Sequence, residues 1–236
     1  MQNYRLPMDN FINQLSRLVI WQYREAFISG FLTSVQITLI SMGISLILAL
    51  LIAFIRISKN TVLRNIGIMY IELARDTPIL VTLLWFTYVL PPLIGIRIPP
   101  YWTAVMALVL QTSGYLAETF RGGIEAVDRG QILASNALGM NNLLMMRRII
   151  LPQALRKSIP DVLNNFVVLF KTSTLVSIVA VPDLMYQASR LVSQLFKPIE
   201  IYTEVAIVYL VVVYILASLV HRVQRRYQQR ESAETV

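Results

Sequence analysis

Apolar residues along this chain gather into long runs separated by short charged segments. A helix needs about 20 apolar residues to cross a bilayer. Five segments meet or approach that length: Phe31–Ile55, Ile66–Leu90, Tyr101–Phe120, Val162–Val181 and Ile201–Val220. Residues 9–28 read instead as an amphipathic helix lying in the interface, with Phe11, Leu15, Leu18 and Trp21 near one side. The pattern predicts an all-α integral membrane protein of about five transmembrane helices.

The second run is interrupted by Glu72, Arg75 and Asp76, each costing roughly 2.5–3.5 kcal/mol at the bilayer centre on an insertion scale. Thr77 and Pro78 read as an N-cap and first-position pair, so a new helix is expected to start there. The stretch from Pro78 to Leu90 is too short to span at about 1.5 Å per residue. Ile66–Arg75 is therefore expected to lie within or against the cytoplasmic leaflet. The simplest reading of Glu72 and Arg75 is an i,i+3 ion pair at that boundary.

Two later runs carry polar stripes. Gln111, Tyr115 and Glu118 fall on one helical face, as do Asn164, Lys171 and Thr174. Both faces are expected to look inward, toward protein or water. Ionisable residues inside a membrane suggest a substrate pathway, and these six are the candidate lining. Helix-to-helix hydrogen bonding is the alternative, as is snorkelling for Glu118 and Arg121 near the cytoplasmic end.

Composition supports the membrane assignment. Hydrophobic residues make up 56% of the 236 and charged residues only 14%, against roughly a quarter charged in soluble domains. Mean hydropathy is +0.61. The first 28 residues include Arg5, Asp9, Arg17, Arg24 and Glu25 and have no compact apolar core, unlike a cleaved signal peptide. There is no cysteine, hence no thiolate metal site, and the single histidine, His221, reads as an interfacial side chain beside Arg222. No His/carboxylate metal cluster and no Walker-type phosphate loop is present, so neither catalytic nor metal-ligating residues are expected.

Basic residues are retained on the cytoplasmic side of membrane proteins. With the N-terminus outside, most of the 21 Lys and Arg fall in cytoplasmic segments. These hold Arg56, Lys59 and Arg64, then Arg121, Arg129, Arg147, Arg148, Arg156 and Lys157, then Arg222, Arg225, Arg226 and Arg230. The expected topology is N-terminus outside and C-terminus cytoplasmic. Anionic membrane lipid, rather than nucleic acid, then answers the net charge of +8. The expected organisation is an interfacial segment over residues 1–28, a transmembrane domain over 29–225 with a cytoplasmic loop at about 122–160, and a cytoplasmic tail over 226–236.

Within that loop, Gly130 to Leu138 reads as a short helix, and Gly139 suits the positive φ of a helix C′ position. Met140–Ile150 reads as a second helix, ended by Leu151–Pro152. On so short an element Met140, Leu143, Leu144, Met145 and Met146 would expose adaptable apolar surface, which usually meets a partner.

This segment resembles the EAA loop of permease subunits of ATP-binding cassette (ABC) importers. That family's pattern is EAA, a Gly, nine residues and I-x-L-P. Gly139 is followed at that spacing by Ile149, Ile150, Leu151 and Pro152; Ala134 matches, while Leu133 and Ser135 replace the Glu and the second Ala. Other segments resemble the polar amino acid branch. Glu72–Pro78 is similar to E-L-x-R-G-T-P, with Asp76 for Gly. Tyr115–Ile124 is similar to Y-x-A-E-x-x-R-G-G-I, and Lys171–Leu175 with Val181–Leu184 to K-D-T-S-L and V-P-E-L. The resemblance covers roughly residues 30–225.

The resemblance implies a type I importer permease subunit moving a polar amino acid across the inner membrane by alternating access. Its loop residues Gly130, Leu133, Ala134, Ser135, Gly139, Ile149, Leu151 and Pro152 would dock a separate P-loop ATPase dimer. No cofactor is expected in this chain, ATP and Mg belonging to that ATPase. The resemblance further implies a second permease subunit, the same or a paralogous chain, and a soluble extracytoplasmic amino acid-binding protein. A passive channel lined by Lys171 and Glu118, or a membrane scaffold, is the competing expectation.

Overall fold

The computed structural model describes the backbone of residues 18–234 and the side chains of residues 18–225. Phe11 and Leu15 of the expected interfacial helix lie outside the described residues. Every regular element among the described residues is helical. A short α1 (Val19–Gln22) breaks at Tyr23 and leads into α2 (Arg24–Arg56). The Glu204 carboxylate accepts from the Val19 and Ile20 amides at 3.0 and 2.7 Å, tying this entry turn to the last helix.

The second apolar run is split as expected, for a slightly different reason. α3 (Thr61–Asp76) and α4 (Ile79–Leu84) lie on either side of a 100° bend. Pro78 denies α geometry to the residue before it, and Thr77 is extended, with ψ 127°. Thr77 does not cap the new helix: Pro78 occupies the N-cap position, and the Thr77 hydroxyl donates back to Leu73 O at 2.7 Å. That bond satisfies a carbonyl at the end of α3, a use the Thr-Pro pattern does not reveal. A π-helical turn (Trp85–Val89) and α5 (Leu90–Ile94) complete the second arm.

After Gly95, at φ +70°, the chain enters α6 (Pro100–Glu125). The helices α7 (Arg129–Ala137) and α8 (Asn142–Met145) build a hairpin. The expected stop at Leu151–Pro152 is absent. A π turn (Met146–Ile150) feeds directly into α9 (Leu151–Thr172), followed by a 3₁₀ segment (Ser173–Val179). A proline in an α-helix removes a hydrogen bond and clashes with the carbonyl four residues back. Here each π turn ends one residue short of a proline, Pro91–Pro92 and Pro152, and the wider turn lets the rod continue through them. α10 (Leu184–Leu195) and α11 (Pro198–Glu234) finish the bundle.

Among the described residues, Arg24–Arg56, Asn142–Val179 and Pro198–Arg225 are long and apolar enough to span a membrane, and the bent pair Thr61–Asp76 with Ile79–Ile94 reaches that length and apolarity only with its two arms taken together. The expected third span lies in α6, whose 26 residues reach roughly 39 Å at 1.5 Å each. α6 contributes Ala104, Ala107, Leu108, Leu116 and Ala117, all fully buried, to the main core with Ile37 and Ala49 of α2. A helix covered by protein rather than lipid has less need of an apolar surface.

Close approach is achieved with small residues. A Cβ on Gly114 would stand 2.7 Å from the Ala74 Cβ, and one on Gly123 would stand 2.3 Å from Ser158 Oγ and 2.8 Å from Ala154 O. Ser34, Ser41 and Ser45 of α2 are also fully buried. The Tyr70 and Ser113 hydroxyls bond at 2.6 Å across α3 and α6.

Asp183, between the fourth and fifth spans, is fully buried. Its Oδ1 caps α10 by accepting from the Tyr186 amide at 2.8 Å, while Oδ2 has no hydrogen-bond partner. Burial raises its pKa from the ordinary 3.8 to about 7, so the fold favours the protonated form. The unfolded chain releases this proton first as pH rises. Asp183 therefore costs stability progressively between pH 3.8 and about 7.

Three outcomes follow from these contacts and this buried carboxyl. Gly123→Val should destabilise the protein by about 1–3 kcal/mol through overpacking. Gly43→Ala, where an added Cβ meets nothing within 4 Å, should be neutral in the same melting assay in detergent. Asp183→Asn should flatten the fall in melting temperature between pH 3.8 and about 7 relative to wild type; an unchanged slope would refute the role given to its buried carboxyl.

Candidate functional site

Two features stand together at one end of the bundle: the hairpin between α6 and α9, and a polar cavity at its base. Asp128 begins the hairpin by accepting from the amides of Gly130 and Gln131 at 2.7 and 3.3 Å. Gly139 has φ +70°. The Met140 amide donates to Ser135 O at 3.1 Å and the Gly139 amide to Asn136 O at 3.0 Å, the paired closure of a left-handed helix end. Asn141 then caps α8 by accepting from the Leu144 amide at 2.8 Å.

The hairpin has its own small core. Val127, Met145, Ile150 and Ala154 are buried together, and Met140 and Met146 pack against them. The expected exposed methionine surface is thus corrected, because these flexible side chains fill the space between the arms. Leucines form the outer surface instead: Leu133, Leu138 and Leu143 are 68%, 81% and 78% exposed. Gln153 Nε2 donates to Gln131 Oε1 at 2.5 Å, and Lys157 Nζ to Ala126 O at 2.8 Å. Both bonds lock the hairpin to α9. Of the other expected docking residues, Gly130 and Ala134 are exposed, Ile149 and Leu151 half-buried and Pro152 exposed. Ser135 is buried, its hydroxyl donating to Gln131 O at 2.6 Å.

The cavity, of about 410 Å³, lies where α3, α6 and α9 meet. Arg75 comes from α3; Tyr115, Glu118, Thr119 and Gly122 from α6; Lys157, Ser158, Asp161 and Asn165 from α9. The expected Glu72–Arg75 ion pair is not formed. Arg75 leaves its own helix to lie over the Tyr115 ring, 5.3 Å from the centroid, and the Tyr115 hydroxyl donates to Arg75 O at 3.4 Å. Glu118 accepts from Arg121 Nε at 2.9 Å, and Arg121 also pairs with Glu125. These are the ion pairs among the described residues.

Of the six expected pathway residues, Tyr115 and Glu118 line this cavity and the others do not. Gln111 is half-buried, and Asn164 and Lys171 are exposed on the open side of α9. Thr174 donates to Lys171 O at 2.9 Å. The α9 contribution was missed because residues 157–160 fell in the expected loop and Asp161 between that loop and the expected span. Yet Lys157, Asp161 and Asn165 repeat at i, i+4 and i+8, a helical signal that Pro160 obscured.

A multi-spanning helical bundle with a stiff hairpin at one end is the architecture of a type I ABC importer permease. The chain belongs to the family described as binding-protein-dependent transport system inner membrane component, which matches residues 45–231. It is 32% identical to the octopine transport system permease protein of Rhizobium meliloti, over 86% of each chain. It is 28% identical to the glutamine transport system permease protein of Escherichia coli, over 88% of this chain and 95% of that one. A solved amino acid ABC transporter crystallised with histidines superposes with a TM-score of 0.81 at 35% identity, covering 87% of this chain and 95% of its own. The inward-facing methionine ABC transporter shares the fold, with a TM-score of 0.73 at 18% identity.

The protein is therefore a multi-pass inner-membrane permease subunit of an ABC importer, not a channel. Such a subunit works with ATPase and binding-protein partners. Because an added Cβ at Gly139 meets nothing within 4 Å, a substitution there acts through backbone strain alone, about 1–2 kcal/mol. Gly139→Val should disrupt ATP-coupled transport while the chain still inserts, and Gly139→Asn, which tolerates left-handed geometry, should retain most of it. Equal coupling in Gly139→Val and wild type would count against a docking role for the hairpin.

Proposed function

We propose that this chain moves a polar amino acid inward, with the hairpin acting as the lever of a separate P-loop ATPase dimer. The observation carrying this reading is the continuity of the rod from Asn142 to Val179. A push on the exposed Leu133, Leu138 and Leu143 would travel through the hairpin core into α9 without an intervening loop. The bundle then rocks between inward and outward access, biased by whichever ATPase state binds the hairpins more tightly.

A polar amino acid cargo is supported by the octopine and glutamine systems among the relatives and by the mixed charges along α6 and α9. Hydrolysis, with ATP and Mg, belongs to the ATPase. Asn164 and Lys171 are exposed on α9, which suits a pathway shared with a second permease subunit, the same chain or a paralogue. A soluble amino acid-binding protein delivers cargo from outside. The N-terminus lies outside and the hairpin and C-terminus in the cytoplasm, as the basic residues favour.

The complex isolated from its native membrane should contain a P-loop ATPase whose vanadate-sensitive turnover rises with one amino acid plus its binding protein. Alanine at Gln111, Tyr115, Glu118, Asn164, Lys171 or Thr174 should depress uptake while assembly persists. A chain that purifies without any ATPase, or wild-type uptake in all six variants, would overturn this reading.

A further inference from the structure

We infer that the corner between α10 and α11, at the end of the bundle opposite the hairpin, is the seat of the soluble binding protein, with Phe196 as the anchor and Arg190 and Lys197 reaching carboxylates on that partner. The inference rests on the transport reading for the existence of the partner and for the side from which it approaches. It adds the surface and the chemistry of the contact.

The rod from Asn142 to Val179 carries the chain away from the hairpin, so α10 lies at the far end. Leu184, Ala188 and Leu191 seat α10 in a buried cluster with Phe27 of α2 and Ile201 of α11. Its other side is open. Arg190 and Gln194 are exposed there, as are Phe196, Lys197 and Ile199 beyond the helix end.

The corner is strained and apolar at once. Phe196 closes α10 at φ +55°, its amide donating to Val192 O at 2.9 Å. That left-handed position favours glycine, and a side chain as bulky as phenylalanine is costly in it. The fold gives nothing back for the strain, since Phe196 is 85% exposed and Ile199, one turn on, is 80% exposed. Backbone strain that packing does not repay points to function. Aromatic side chains that fill a partner's pocket are the residues that dominate protein interfaces.

The surroundings decide what covers the ring. The apolar run of α11 begins at Ile201, and Lys197 and Glu200 stand between it and Phe196 in sequence. Charges of both signs belong in water, and the aromatic residues that anchor a chain at a membrane surface are Trp and Tyr rather than Phe. The ring therefore projects beyond the lipid, within reach of a soluble protein. Arg190 and Lys197 form no ion pair among the described residues, although Glu200 is near in sequence. Two unspent cations flank an apolar knob, and the partner that fits them presents an apolar pocket rimmed by carboxylates.

The test uses the whole complex, with its ATPase, in nanodiscs. The probe is the amino acid-loaded binding protein that stimulates wild-type ATP hydrolysis. Phe196→Gly should raise the concentration needed for half-maximal stimulation about tenfold or more, with a melting temperature in detergent no lower than wild type because the strain is relieved. Phe196→Trp, which keeps an aromatic anchor, should retain most of the response. Arg190→Glu combined with Lys197→Glu should also weaken docking, by a factor that shrinks as salt is raised. An unchanged half-maximal concentration in Phe196→Gly overturns the inference and leaves the transport reading in place. Loss of permease pairing in Phe196→Gly also overturns it, by assigning the corner to a second copy of the chain. A melting temperature that falls in anionic nanodiscs but not in detergent assigns the corner to lipid and overturns it as well. If no binding protein stimulates the wild-type complex, the transport reading fails and the docking surface falls with it.

Discussion

Close approach of neighbouring helices to α6 is the constraint on which the rest of the structure depends. In a membrane, lipid tails are as apolar as leucine, so helices associate through van der Waals packing and hydrogen bonds rather than by escaping water. Gly114 against Ala74 and Gly123 against Ser158 leave no room for another carbon. Those two contacts bring α3 and α9 onto the same helix. They also set the site, because Arg75 reaches Tyr115 only where α3 touches α6, and Lys157 and Asp161 share a cavity with Glu118 only where α9 does.

Proline shapes the other half of the design. At Pro78 the chain turns sharply because Thr77 cannot stay helical before it. At Pro152 the same residue type leaves a helix running, because a π turn absorbs the missing hydrogen bond and the ring. One proline makes a corner and the other preserves a continuous rod. Methionines fill the hairpin's interior and its glutamine and lysine bonds hold it to α9, leaving leucines on its outer surface.

The positions of the spans were legible because a bilayer demands long apolar runs, and Gly139 was legible because a left-handed helix end favours glycine. Charged partners were not. Glu72 and Arg75 sit three residues apart, which suggests an ion pair, yet the ring of Tyr115 on another helix takes Arg75 instead. Tyr115 and Glu118 were identified from a stripe on their own helix. Asp161 was not, because it stands beside a proline at the edge of an apolar run, where sequence reads as loop. The methionines were placed outside by pattern and inside by packing, since composition does not say which side of a short hairpin faces its own second arm.

By itself the sequence determined the solvent and the repertoire: a lipid-embedded helical chain, its family motifs in order, and a Gly-hinged hairpin between two spans. Those properties depend on local chemistry, on apolar length and on the backbone preferences of Gly and Pro. Only the tertiary structure decided that the least apolar span is central, that the hairpin and fourth span form one rod, and that Arg75 and Asp161 face one cavity. Each of these depends on contacts between residues far apart in the chain, where the distance of approach is set by the smallest side chains on two different helices at once.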